Sequence, residues 1–158
     1  MAYLKYKEVT KYFNFSESIL VEDLPDYVKE YVFDGEEILC GYKTSKDYGI
    51  FTTKKIVLFD KESSMGLYKQ IFTIPYSSIS TLSIIYKVTG AEFSLFLNSG
   101  YPLRLKFVNM KNPNKDLPNI EKKRLRLVYS IISKIINNQE VTNEEINVIK
   151  ENRITFVD

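Results

Sequence analysis

From Glu36 to Phe107 the apolar residues recur at about every second position, in runs separated by turn-forming residues. That period belongs to half-buried strands. "EEILCGYKTS" sets Ile38, Cys40 and Tyr42 on one face. "GIFTT" and "KIVLFDK" follow, with a hairpin turn centred on Thr53-Lys54 and with Ile56, Leu58 and Phe59 expected in the core. "DKESSMG" reads as a loop, and "LYKQIFTIP" brings Leu67, Ile71 or Phe72, and Ile74 towards the core before Pro75 ends the strand, because proline has no ladder donor. "SISTLSIIYKV" aligns Leu82, Ile84, Tyr86 and Val88. A turn at Thr89-Gly90 leads to "AEFSLFLN", with Phe93, Leu95 and Leu97 inside. Ser99-Gly100 signals a hairpin. "YPLRLKFVN" then places Leu103, Leu105 and Phe107 inside and Arg104 and Lys106 outside. About seven strands are expected.

The period is helical on either side of this run. "EDLPDYVKEYVFDG" predicts a short helix with Asp23 as N-cap, Pro25 in the first turn and Gly35 ending it at positive φ. "MKNPNKDLPN" is a loop. From Asn119, Leu125, Val128, Ile131 or Ile132, and Ile135 form an apolar stripe that stops at Asn137-Asn138. Thr142 and Glu145 have capping-box spacing and open a second helix carrying Ile146 and Ile149. "RITFV" is expected to close the chain as a strand, and "YLKYKEVTKYF" reads as a weak strand or extended arm. The domain division is therefore an arm over 1–17, a body over 18–138 and an extension over 139–158. A long antiparallel sheet must close or fold over to hide its edges. The expected class is α+β, mainly β: a seven-stranded barrel or sandwich, with the long amphipathic helix plugging its open end.

Composition removes most chemistry. The chain has 158 residues and 44% hydrophobic content, which suits one core. Its net charge of +2 is too small for a typical nucleic-acid binder, so no nucleic-acid partner is expected. There is no histidine and a single cysteine, Cys40. This excludes Ser-His-Asp and Cys-His nucleophiles, His-containing metal sites and an internal disulfide. Neither glycine-rich phosphate motif occurs. The acidic pairs Glu22–Asp23, Glu36–Glu37 and Glu144–Glu145 have strand or helix-start explanations. No enzyme activity, cofactor or metal is expected. Cys40 alternates with Ile38 and Tyr42 and reads as a core thiol. With no long apolar run and no signal-peptide block, the expected location is the cytoplasm.

Several stretches together resemble the bacterial pleckstrin-homology (PH) domain family. They are Gly35-Glu36-Glu37-Ile38, Asp47, Phe51-Thr52-Thr53-Lys54-Lys55-Ile56, Asp60, Gly66, Lys69 and Ile74-Pro75-Tyr76-Ser77-Ser78-Ile79. The long helix after the strands and the short one before them fit the same pattern. The resemblance spans about 18–137, with Lys46 and Lys55 standing where the family usually has arginine. It implies a PH-like, non-enzymatic barrel. Eukaryotic cousins of that fold bind phosphoinositides or peptides, and bacterial members are similar to modules that self-assemble into rings.

Three functions follow as expectations. The first is protein binding with homo-oligomeric assembly. Residues 17–37 hold eight acids and one lysine, and 103–126 hold eight basic residues and two acids, so two copies can attract head to tail. The candidate partner residues are Glu22, Asp23, Asp26 and Glu30 on one side, and Lys122, Lys123, Arg124 and Arg126 on the other. The run "KKRLR" starts a helix, where positive charge is unfavourable, which singles it out. The second is binding of an anionic lipid or phosphate by Lys43, Lys46, Lys54 and Lys55. These lysines offer no arginine fork, and the two pairs are expected at opposite strand ends, so a membrane surface ranks behind a protein partner. The third is an inhibitor or adaptor from a phage or mobile element that binds a host protein.

Overall fold

Alternating apolar residues pair as their period demands, and two sheets result. The structure, a computed structural model, describes residues 11–44, 47–61, 69–88, 90–108 and 120–154. Among them the strands are β1 (Lys11–Phe15), β2 (Glu17–Ile19), β3 (Ile38–Lys43), β4 (Tyr48–Thr52), β5 (Lys55–Lys61), β6 (Lys69–Pro75), β7 (Ile79–Lys87), β8 (Gly90–Leu97) and β9 (Pro102–Phe107). The helices are α1 (Asp26–Lys29), α2 (Ile120–Ile136) and α3 (Asn143–Ile154). One sheet has the order β1-β9-β8-β7 and the other β2-β3-β4-β5-β6. They form a PH-like sandwich, mainly β, with no closed barrel. The seven expected strands are β3 to β9.

The two added strands come from the end of the N-terminal arm. β1 runs parallel to β9, and β2 pairs antiparallel with β3. The chain crosses between the sheets at Ser16, whose amide donates to the Lys43 carbonyl at 2.8 Å, while the Val108 amide donates to the Phe15 carbonyl at 2.9 Å. The arm thus closes one corner of the sandwich, and Phe13 and Phe15 are buried in the main core. Residues 1–10 of the expected arm lie outside the described residues, as do Leu67, Thr89 and the loop over 109–119.

The main core lies between the sheets, and α2 plugs the open end with Leu125, Val128, Ile131 and Ile132, all buried. A second apolar cluster lies on the outer face of the five-stranded sheet, where Leu24 and Val28 cover Ile50, Val57 and Phe59. Phe59 therefore packs on this outer side, against Tyr27 and Tyr31, and not in the main core with Ile56 and Leu58. A register shift between Ile38 and Cys40 has a similar effect. The bulge turns Leu39 and Cys40 into the main core together and sends Ile38 to the outer cluster. Cys40 is a buried core thiol, as expected.

Asp23 is not a helix cap. It ends a 3-10 turn over Val21–Asp23, and α1 starts only at Asp26, with no side-chain cap. The residue before a proline avoids the helical region, and Leu24 is extended (φ −66°, ψ 141°), so one helix cannot run through Leu24-Pro25. Gly35 does adopt positive φ, +81°. At the far end Asn138 takes φ +57° and stops α2. The Glu145 amide donates to Thr142 Oγ1 at 3.2 Å, as the capping spacing predicts. α3 continues through Ile154, so Arg153 and Ile154 are helical and not the start of a closing strand. Residues 155–158 lie outside the described residues. Tyr86 and Val88, expected inside, are 50% and 96% exposed. They lie where β7 runs past the core.

Candidate functional site

Three separated motif stretches meet at the turn between β4 and β5. Thr52 ends β4, and its hydroxyl oxygen accepts the amides of Lys54 and Lys55 at 3.1 and 3.0 Å, which fixes the turn. The same hydroxyl donates to Glu36 Oε2 at 2.5 Å. Glu36 Oε1 accepts the Phe33 amide at 3.0 Å and lies 3.1 Å from Lys55 Nζ. The Lys55 ammonium sits 3.9 Å from the centre of the Phe33 ring, a cation–π contact. From the next stretch, Tyr76 donates its hydroxyl to the Thr52 carbonyl at 2.7 Å. Burial pushes the Glu36 pKa up, but the hydrogen bonds from Phe33, Thr52 and Lys55 outweigh it and leave the carboxyl below its ordinary range. Every member has its partner inside the molecule. The arrangement is an ionic lock on the fold, and it holds no charge ready for a ligand.

Asp47 has a similar part at the other end of β4. Its carboxylate, almost fully buried, accepts the Tyr27 hydroxyl at 2.6 Å, and its amide donates to Thr44 Oγ1 at 2.9 Å. This ties α1 to the β3–β4 connection. Burial first, and then the Asp47 hydrogen bond, push the Tyr27 hydroxyl well above the usual tyrosine value. Tyr27→Phe is expected to cost about 1–2 kcal/mol, because a buried carboxylate loses a donor. A shift of the urea midpoint, with faster amide exchange in α1, checks this.

The three candidate ligand lysines among the described residues, Lys43, Lys54 and Lys55, do not converge. Lys43 is exposed at the far end of β3, opposite Tyr48, and lies 3.8 Å from Glu17. Lys46 lies outside the described residues. Lys55 is buried in the lock. Lys54 lines a cleft of about 800 Å³ between the β4–β5 turn and the α2–α3 linker. Its floor is Ile131, Ile135, Val141 and Ile146, and its rim includes Glu37 and Glu140. Acids outnumber the lysine there, which does not suit an anionic headgroup.

The charged segments separate clearly. Glu22, Asp23, Asp26 and Glu30 are all exposed, on the layer that covers the outer face of the five-stranded sheet. Arg104 and Lys106 project from the opposite outer face, because Leu103, Leu105 and Phe107 face the core. Beside them, Glu92 is buried and lies 3.1 Å from Lys87 and 3.7 Å from Arg104. Lys122 donates to the Lys87 carbonyl at 2.6 Å and joins this basic side, and Lys123 is exposed. Arg126 is exposed and bonds Ser130. Arg124 is not a surface residue. It is 3% exposed and paired with Glu121 at 2.6 Å, because residue 124 faces the sandwich beside Leu125 and Val128. Sequence spacing missed Lys87 and Glu92, whose positions depend on how β7, β8 and β9 align.

Among the described residues no helix is long and apolar enough to cross a membrane. A family model described as the bacterial PH domain matches residues 9–136. The uncharacterized protein YjqA of Bacillus subtilis is 34% identical over 64 residues, 40% of this chain and 49% of that protein. The chain thus spans about half the length of this relative. A DUF1696-family protein with a pleckstrin-homology domain from Shewanella loihica superposes with a TM-score of 0.53 at 19% identity, over 75% of this chain and 95% of that one. A PH-domain-containing bacterial protein from Exiguobacterium sibiricum gives 0.55 at 17% identity, over 80% of this chain and 63% of that one. At such identities the two structures speak for the fold.

Proposed function

Because the chain belongs to the bacterial PH-domain family, whose members are generally non-catalytic interaction modules, we propose that it is a non-enzymatic module that binds protein and assembles with copies of itself. One observation carries this reading. The exposed acids of the α1 layer and the basic residues around Arg104, Lys106 and Lys122 occupy opposite outer sides of the sandwich. Opposite signs on opposite sides favour a head-to-tail contact, which closes into a ring when the rotation between subunits allows.

Light scattering at two salt concentrations tests this. The mass should exceed that of one 18.5 kDa chain at about 0.1 M salt and fall at about 1 M, where the Debye length shrinks from ~10 to ~3 Å. Asp26→Lys with Glu30→Lys should lower the mass at low salt. A single-chain mass under both conditions would retire the electrostatic contact.

A further inference from the structure

The sandwich has four outermost strands among the described residues: β1 and β7 in one sheet, β2 and β6 in the other. An outermost strand presents unpaired backbone donors and acceptors, and folded proteins blunt it with shortness, charge, proline or a bulge. β2 is three residues long. β6 opens on Lys69 and closes on Pro75. β1 has five residues among those described, and the chain leaves it at Ser16 to cross to the other sheet. β7 differs. It has nine residues, and its irregularity lies at the start, between Ile79 and Thr81. The run that follows, Thr81-Leu82-Ser83-Ile84-Ile85-Tyr86, carries no charge, proline or glycine. Ile85 and Tyr86, neighbours that point to opposite faces, are 45% and 50% exposed.

We propose that β7 is a dimerisation edge, on which the β7 of a second copy pairs antiparallel about a two-fold axis at Ile84. It rests on the self-association reading above, but it uses a different surface.

Strand length selects the register. The regular part of β7 runs from Thr81, just after the irregularity, to Lys87 at its end. Only a two-fold at Ile84 pairs that whole stretch with itself. Ile84 then faces Ile84, Leu82 faces Tyr86, Ser83 faces Ile85 and Thr81 faces Lys87. Leu82 and Ile84 are already half-buried against the core, and the incoming Tyr86 ring covers the part of Leu82 still open. Lys87 is the one charge in the strand, and this register sets it opposite a threonine and away from its own copy. Beyond that threonine, on β8, lies the exposed Phe96. The two four-stranded sheets become one continuous eight-stranded sheet. Such pairing draws on main-chain hydrogen bonds for affinity and on alternate side chains for register.

The second copy fits better than a foreign strand because the segment complements itself. It opposes no like charges, and it matches apolar to apolar on the inner face. The contact also contains no ion pair, so salt separates it from the head-to-tail one.

Light scattering in about 1 M salt, where exposed charge contacts are screened, reads the β7 contact alone. The native chain should have twice the single-chain mass at high protein concentration, and Ile85→Lys should return it to one chain while keeping its melting transition. Cysteine crosslinking reads the register independently, since the native Cys40 is buried. Ile84→Cys should form an intermolecular disulfide under mild oxidation, because directly opposed Cα atoms in an antiparallel pair lie ~4.5–5.5 Å apart. Thr81→Cys should not, because its copy lies six residues along, about 20 Å away. A native chain that is monomeric in high salt overturns the proposal, as does equal crosslinking at both positions. If the chain assembles only in low salt and Ile85→Lys has no effect, the head-to-tail contact stands and the β7 contact falls.

Discussion

Glu36→Ala is expected to destabilise the protein by about 3–5 kcal/mol, the range for removing one member of a buried ion pair. The Glu36 and Lys55 side chains are 2% and 9% exposed. Without the carboxylate, the Lys55 ammonium keeps only the Phe33 ring, and the Phe33 amide loses its acceptor. The Thr52 hydroxyl, which fixes the β4–β5 turn, is left with the Lys55 carbonyl, 3.0 Å away, as its acceptor. Replacing both charges, Glu36→Leu with Lys55→Met, is expected to recover much of the loss, since an apolar pair of similar volume leaves no uncompensated charge. Urea denaturation of the single variant and the double variant measures both effects. Equal losses in Glu36→Ala and in the double variant would show that the lock owes nothing to charge pairing.

The same lock has a pH signature. The folded pKa of Glu36 lies below its ordinary value, so folding favours the ionised form. The stabilisation is fully present above the ordinary carboxyl range and is lost as pH falls towards the folded pKa. Native stability should decline on acidification through that window, and the decline should be shallower in the double variant, which no longer carries the titrating group.

The ionic lock also shows what was legible in the sequence. Glu36, Thr52, Lys55 and Tyr76 all lie in the stretches that resemble the family, so they were visible as residues. Their convergence was not, since it depends on β4, β5 and the Tyr76 turn meeting in space. One sign was available for the lysines. Lys55 shares the parity of Val57 and Phe59, so it had to project to the outer face of its sheet, where the chain just before Glu36 covers it. Lys54, at the turn, had no such constraint and is exposed. Parity failed where a bulge intervened, at Ile38–Cys40, and where β7 outran the core, at Tyr86 and Val88. The charged segments were countable along the chain, but their separation onto opposite outer sides depends on α1 lying over one sheet and Arg104 facing away from the other.

The arm was the largest part of the fold left unread, and Phe15→Ala tests how far it belongs to the core. Asn14 separates Phe13 from Phe15, a period-two apolar pair, but β1 is short and pairs in parallel with a strand some ninety residues away, which local spacing does not reveal. Phe15 is 1% exposed. Its ring lies 5.0 Å from that of Phe107, 5.5 Å from that of Tyr42 and 6.5 Å from that of Phe51. Truncation should cost about 3–5 kcal/mol, as for other buried phenylalanines. Gly49 accommodates the ring, since a Cβ at that position would lie 2.5 Å from its edge. Gly49→Ala must therefore push Phe15 aside and is destabilising alone. Because the alanine methyl and the ring compete for one space, the double variant should lose less than the two single losses together. Additive losses would mean that the ring does not depend on that space. A Phe15→Ala loss below about 1 kcal/mol, the typical effect of an ordinary substitution, would place the arm outside the cooperative core.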